Sequence, residues 1–169
     1  EPIDGRPLLD RAVLAVLSVA TDVVVVVAPG ARRLVPAGAR IVHDPDAFQG
    51  PLAGVAVGLA ALEPDVERVI VVGGDMPTLA PRVLHRLVDG LGPNAAAVVL
   101  GTDGGAPPLP AAIDRQAASS AVESLLSAGE RRLRALPERL KAHVVAAADW
   151  AEDDPTAATL RDVDRVEDL

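Results

Sequence analysis

The sequence has no cysteine and no tyrosine, one tryptophan, one phenylalanine, one methionine and a single lysine against fifteen arginines. Without cysteine there is no disulfide scaffold, no thiolate zinc site and no cysteine nucleophile. With Phe48 and Trp150 as the only aromatics, the core must be built from Val, Leu, Ile and Ala. Schiff-base or P-loop-type lysine chemistry would rest on Lys141 alone. Cationic surface is also scarce: 16 Lys+Arg stand against 24 Asp+Glu, a formal net charge of -8. Nucleic acid and anionic membranes are recruited by clustered cations, so neither is expected as a main partner. No apolar stretch approaches the roughly 20 residues of a membrane-spanning helix.

What is present is ample apolar material. Half of the 169 residues are hydrophobic, which excludes a disordered chain. The length suits a single domain over residues 1–169, burying about 70% of the surface its unfolded form exposes. The first residues, Glu1-Pro2, carry neither Met nor a signal-peptide pattern, so an N-terminally incomplete chain is expected. The lack of cysteine fits a cytoplasmic protein.

Five consecutive valines, Val23 to Val27, lack the alternation of a half-exposed strand. β-Branched runs of this kind belong to strands covered on both faces. Further strands are expected at Ala39–His43, Val69–Val72, Ala95–Leu100, Leu109–Ile113, Ala142–Ala147 and Thr159–Val163. Helical patterns lie between them, at Pro7–Ala20, Leu52–Leu62, Thr78–Leu91, Ala118–Ala128 and Glu130–Leu140. Thr78 reads as an N-cap and Gly92 as a residue just past a helix end. Alternating strands and helices predict an α/β fold with a mostly parallel sheet and helices on both faces.

In open α/β sheets ligands bind beyond the carboxyl ends of the strands. That rule selects Asp44, Asp75 and Asp103, with Asp162 and Asp164 near the end of the chain. Converging carboxylates with no cysteine and little histidine suggest a hard, oxygen-ligated cation such as Mg²⁺. The competing reading is structural, because aspartate is common in turns and caps. Asp164-Arg165-Val166-Glu167 in particular fits a capping box. Gly50-Pro51-Leu52-Ala53-Gly54 leads into a helix, where glycines and a helix N-terminus would suit an anion. Alternatively Gly50, Gly54 and Gly58, spaced by four, form a face pressed on the sheet. Arg131 and Arg132 at an expected helix start suit phosphate, or else solvent. His43, His85 and His143 have no ligand-like spacing, and the serines sit in helical segments without a nucleophile elbow.

Asp4-Gly5-Arg6-Pro7-Leu8-Leu9, Asp44, Gly50-Pro51-Leu52-Ala53-Gly54 and Gly74-Asp75-Met76-Pro77, in this order, resemble the MobA-like nucleotidyltransferases, which include the molybdenum cofactor guanylyltransferases. Gly101-Thr102-Asp103-Gly104 with Pro108-Leu109-Pro110-Ala111, Gly129-Glu130-Arg131-Arg132, and the closing stretch from Asp162 to Leu169 extend the likeness over the whole chain. The resemblance implies a Rossmann-like three-layer α/β/α sandwich of the nucleotide-diphospho-sugar-transferase type. It implies transfer of a nucleotide from GTP to the phosphate of the molybdopterin cofactor, with pyrophosphate leaving. Asp75 would be the catalytic, metal-binding aspartate and Asp164 the second ligand to Mg²⁺ or Mn²⁺. Asp44 and Gly50, Pro51, Leu52, Ala53 and Gly54 would hold the nucleotide, with Arg131 and Arg132 on the acceptor side. Transient contact with cofactor-insertion proteins or apo-molybdoenzymes is also implied.

The sequence departs from the family in one large respect. The family's opening strand and its Leu-Ala-Gly-Gly, Arg-Met-Gly and Asp-Lys loop, which cradles the triphosphate, have no counterpart here. Residues 1–169 alone are therefore expected to bind GTP weakly. Ala28-Pro29-Gly30 offers only backbone groups where the family carries Asn, and Arg165-Val166 replaces a Thr-Pro pair. CTP, another phosphorylated acceptor, or a non-catalytic interaction module remain as alternatives.

Overall fold

The valine run forms a strand because its branched side chains are covered from both sides. In a computed structural model of the chain, which describes residues 2–3, 6–45 and 49–161, β3 (Val23–Val27) pairs in parallel with β4 (Ala39–His43), Val25 opposite Ile41. Before them lie an antiparallel pair of two-residue strands, β1 (Pro2–Ile3) with β2 (Arg6–Pro7), and helix α1 (Leu8–Leu17). Pro7 is the residue that caps α1, not its first helical residue.

After β4 come α2 (Pro51–Ala61), β5 (Arg68–Val71), α3 (Pro81–Asp89), β6 (Ala97–Leu100) and β7 (Ala111–Asp114). They are followed by α4 (Arg115–Ser127), α5 (Ala135–Arg139), β8 (His143–Val145), α6 (Ala147–Trp150) and a 3₁₀ turn at Ala158–Leu160. The second sheet has the order β5-β7-β6-β8. β6 and β8 run parallel, while β7 is antiparallel to both its neighbours, so the expected parallel sheet is mixed.

Three layers follow from where the side chains go. Val23 and Val25 of β3 pack with Ala12, Val13 and Val16 of α1, and Ile70 and Val72 join them. Val26, on the opposite face of β3, meets Gly54 and Gly58 of α2. Leu52 and Leu59 of α2 share a cluster with Ile113 and with Val122 of α4. Val83 and Leu87 of α3 pack on Val98 and Leu100 of β6 and on Trp150. β6 is buried along its whole length, and its end is held by the Trp150 indole, which donates to the Gly101 carbonyl at 2.9 Å. Burying each such Val or Leu side chain contributes roughly 1.5–3 kcal/mol.

Several boundaries differ from expectation. α3 starts at Pro81 with Ala80 as its cap, because Thr78 is engaged elsewhere, and it ends at Gly90 rather than at Gly92. α4 begins at Arg115, three residues early, because the Asp114 carboxylate accepts from the Ala117 N–H at 2.8 Å. The stretch 130–134 is not helical, and α5 has only five residues. A 3₁₀ turn stands where the strand at Thr159 was expected, and Val163 lies outside the described residues. No helix among the described residues is long and apolar enough to cross a membrane.

Arg115 ties the two halves of one layer together. Its guanidinium donates to the carbonyls of Leu59 at 3.2 Å and Leu62 at 3.1 Å, and also to those of Glu63 and Val66. It thereby closes the negative end of α2, where a cation is favoured. Arg115→Ala is expected to lower stability by about 2 kcal/mol, since it strands several of these acceptors. Arg115→Lys should recover only part of the loss, because one ammonium cannot span the group. Urea denaturation of the three proteins checks both.

Candidate active site

Asp75 sits on the turn that follows β5, exposed, while the next residue anchors the turn. Met76 is buried in the α1 cluster, and its sulfur accepts from the Gly73 N–H at 3.4 Å. The Asp75 carboxylate folds back over Gly73, where any β-carbon would collide with it. A β-carbon at Gly74 would stand 3.1 Å from Leu9 of α1. The double glycine is therefore what lets the turn lie flat on α1 with its carboxylate displayed outward.

Asp44, half-buried, directly follows β4, and its N–H donates to the Val27 carbonyl at 2.9 Å, extending the pairing with β3 by one residue. Gly50 caps α2 at φ +85°, a conformation that favours glycine, and Pro51 takes the first helical position. A β-carbon at Gly50 would lie 3.0 Å from both Cβ and O of Arg131. The Leu52 N–H donates to that same Arg131 carbonyl at 3.3 Å, and the Ala53 N–H to the Gly50 carbonyl at 3.2 Å. The structure thus brings the Gly50–Gly54 segment and Arg131 together, with the first backbone donors of α2 already partnered. Leu52 points its side chain into the core, and Gly54 and Gly58 both face Val26, so these two glycines follow the packing reading.

The Gly-Glu-Arg-Arg stretch is a turn, which corrects its reading as a helix start. Gly129, at φ +82°, closes α4: its N–H donates to Leu126 O at 3.0 Å and the Glu130 N–H to Leu125 O at 2.9 Å. The Glu130 carboxylate then accepts from the backbone N–H of Arg131 at 2.8 Å and of Arg132 at 2.9 Å. Both its oxygens also take the Arg132 guanidinium, at 2.7 Å in the shortest contact. The Arg132 side chain, with these backbone donors, holds the Glu130 carboxyl at a pKa of about 2. The Arg131 guanidinium bonds the carbonyls of Leu126 and Glu130. Both arginines are exposed, yet each is oriented by local partners.

Asp162 and Asp164 lie outside the described residues, but the segment leading to them is clasped to the Asp75 loop. Thr78, three residues beyond Asp75, donates its hydroxyl to the Ala158 carbonyl at 2.6 Å. The fully buried Thr159 hydroxyl accepts from the Ala80 N–H at 3.0 Å, and its own N–H donates to Asp154 at 2.7 Å. Burial pushes the Asp154 carboxyl up, but the Thr159 N–H and its other hydrogen bonds prevail and keep it below the usual range. Next to it, Asp153 is held low by Arg86, with Arg82 adding to the effect. Sequence reasoning missed this clasp; the Asp154, Thr156, Thr159 spacing is its only local signal.

Asp103 occupies a tight turn in which Thr102 and Gly105 exchange backbone hydrogen bonds at 2.7 and 3.1 Å, so it follows the turn reading. His43 contacts the Ala31 carbonyl, while His85 and His143 line a separate charged groove beside α3. Among the described residues no group of three or more His, Asp or Glu side chains could hold a metal ion, so Asp44, Asp75 and Asp103 do not form one. Asp75 alone fits a cation that draws most of its ligands from phosphates and water.

Residues 1–150 match the family of MobA-like NTP transferase domains. A probable molybdenum cofactor guanylyltransferase of Mycobacterium avium is 34% identical over 133 residues, 78% of this chain and 67% of that protein. One from Chloroflexus aggregans is 32% identical over 171 residues, 98% of this chain and 78% of that protein. Among solved structures, 2-C-methyl-D-erythritol 4-phosphate cytidylyltransferase of Thermus thermophilus covers 99% of the chain with a TM-score of 0.73 at 19% identity, over 87% of its own length. Molybdopterin-guanine dinucleotide biosynthesis protein A of Archaeoglobus fulgidus has a TM-score of 0.59 at 20% identity, over 76% of this chain and 63% of its own. At these identities the solved structures speak to the fold alone.

Two outcomes test the local geometry. The Glu130 carboxyl should titrate near pH 2 in an NMR pH series, and Arg132→Ala should move it back towards 4.5. Its depressed pKa means that the turn's charge pairing is complete above the unfolded value and is lost as pH falls through the folded one. Asp154→Ala should cost about 2 kcal/mol at neutral pH by leaving the buried Thr159 N–H unpaired. Because the Asp154 pKa is lowered, that difference should be full above the unfolded carboxylate pKa and shrink as pH falls through the folded one, as paired urea titrations would read out.

Proposed function

Because the chain belongs to the MobA-like NTP transferases, a family of nucleotidyltransferases, we propose that it transfers the guanylyl group of GTP to the phosphate of the molybdenum–molybdopterin cofactor. The observation that carries this reading is Asp75, an oxygen donor displayed at the end of β5 by a glycine turn and clasped at Thr78 to the segment that precedes Asp164. The names of the curated relatives support the guanine nucleotide and the acceptor.

An acceptor phosphate oxygen forms a bond to the α-phosphorus of GTP, and the bond from that phosphorus to the bridging oxygen breaks. The electron pair leaves on pyrophosphate, with no covalent enzyme intermediate. Such a transfer depends on positioning and charge neutralisation. Asp75 and Asp164 hold the divalent cation, Mg²⁺ or Mn²⁺. When bound, the cation supplies neutralisation of phosphate charge. Asp44 and the Gly50–Gly54 segment orient the nucleotide, and Arg131, pinned against Gly50, faces the acceptor side with Arg132. The reaction belongs in the cytoplasm, with product passing to cofactor-insertion proteins or apo-molybdoenzymes.

The test is pyrophosphate release by the complete gene product that contains residues 1–169, given molybdenum cofactor, Mg²⁺ or Mn²⁺, and each of the four NTPs. GTP should be preferred, and Asp75→Asn should lower the rate about 100-fold with the fold retained. Preference for CTP would overturn the base assignment, and an undiminished Asp75→Asn rate would overturn the metal assignment.

A further inference from the structure

Positive charge is concentrated in one short stretch of the surface. Residues 130–141 carry Arg131, Arg132, Arg134, Arg139 and Lys141 against Glu130 and Glu138, in a chain whose acids outnumber its cations 24 to 16. All of these cations are exposed. Both acids serve Arg132: Glu130 bonds its guanidinium, and Glu138 adds to the field that stabilises its charge. The Arg131 guanidinium is held by carbonyls. That leaves Arg134, Arg139 and Lys141, whose side chains have no ion pair or hydrogen bond among the described residues. By contrast, Arg40, Arg82, Arg86 and Arg115 are each taken by a carboxylate or by carbonyls. Arg134 caps α5, Arg139 ends it and Lys141 follows it, while Ala135 and Leu136 bury the inner side of the helix.

Lys141 stands where glycine is the usual residue. Its N–H donates to the Glu138 carbonyl at 3.1 Å, and the Ala142 N–H to the Pro137 carbonyl at 2.9 Å. This pair of bonds closes a helix on a left-handed residue. Lys141 takes that conformation at φ +50°, which a side chain disfavours and glycine does not. The only lysine of the chain therefore occupies a position where stability alone favours glycine.

We propose that Arg134, Arg139 and Lys141 form a docking strip for a short acidic segment of a partner protein. At about 1.5 Å per helical residue the strip is about 10 Å long, the reach of roughly three extended residues. A short run of glutamate or aspartate matches that length and meets only the strip. Nucleic acid and anionic membranes present charge over a far wider area and would meet the acidic remainder of the surface. The strip starts three residues beyond Arg131, so a docked partner stands next to the acceptor side. That placement rests on the reading proposed above, and the docking itself does not.

The probe is a fluorescent peptide with a short run of glutamate and aspartate, titrated into the complete gene product that contains residues 1–169. At low ionic strength it should bind although the net charge of -8 opposes it, and binding should be lost near about 0.5 M salt. Backbone amide signals should shift between Arg134 and Ala142 in an NMR titration. Arg134→Glu with Arg139→Glu should weaken binding about tenfold or more, whereas Arg32→Glu with Arg33→Glu, exposed in the loop after β3, should not. Lys141→Gly should raise the thermal midpoint and yet weaken binding about threefold, a split that loss of structure cannot produce. None of these readouts involves nucleotidyl transfer, so the docking and the proposed activity fail separately. Absence of binding at low salt, equal loss in both charge-reversal pairs, shifts centred outside the strip, undiminished binding by Lys141→Gly, or tighter binding of a DNA duplex than of the peptide would each overturn the proposal.

Discussion

A buried strand must have its backbone paired on both edges, and the architecture is organised around where that condition is met. β6 meets it fully: β7 on one side, β8 on the other, and its side chains buried along the whole strand. The order β5-β7-β6-β8 radiates from that strand, and the clusters under α2 and α3 pack on its two faces through Ala97 and Val98. Among the described residues β3 and β5 each pair on one edge, with helices covering their faces.

Charges in this protein mostly neutralise one another locally. Arg115 closes α2, Arg40 holds Asp22, Arg82 and Arg86 hold Asp153, and Glu130 gathers Arg132 with two backbone donors. Pairs with a solvent-exposed arginine, such as Arg132 with Glu130, add little to stability. The Glu130 turn is the clearest case. It sets the Arg131 carbonyl against Leu52 N–H, and Gly50 must lack a side chain for that approach to occur. A net charge of -8 thus coexists with a few arginines held where anionic groups could meet them.

Much of the fold was legible because strand signals here are strong. The valine run and Ala39–His43 were read to the residue, since β-branched stretches between turn residues leave few alternatives. Errors arose where a tertiary hydrogen bond took a residue away from its local role. Thr78 reads as a cap in isolation, yet its hydroxyl serves the Ala158 carbonyl eighty residues away. Thr159 sits in a β-favouring stretch, but Asp154 folds it into a 3₁₀ turn. The direction of β7 was unreadable because a four-residue strand carries no record of which way it runs. At the candidate site, Asp75, Gly50 and Arg131 were singled out from the sequence as expectations, and the contact between the last two was invisible there, because it joins backbone to backbone.

The Asp75 turn shows how an exposed carboxylate can be positioned without being buried. Met76 pulls the chain into the α1 cluster, Gly74 lets Leu9 pack beneath, and Thr78 fastens the exit to Ala158. All three attachments act on neighbours of Asp75 and none on its carboxylate. The backbone direction at residue 75 is therefore determined while the oxygens remain outward, lying over Gly73. A carboxylate displayed in this way keeps its hydration, whereas a buried one would bear a desolvation cost.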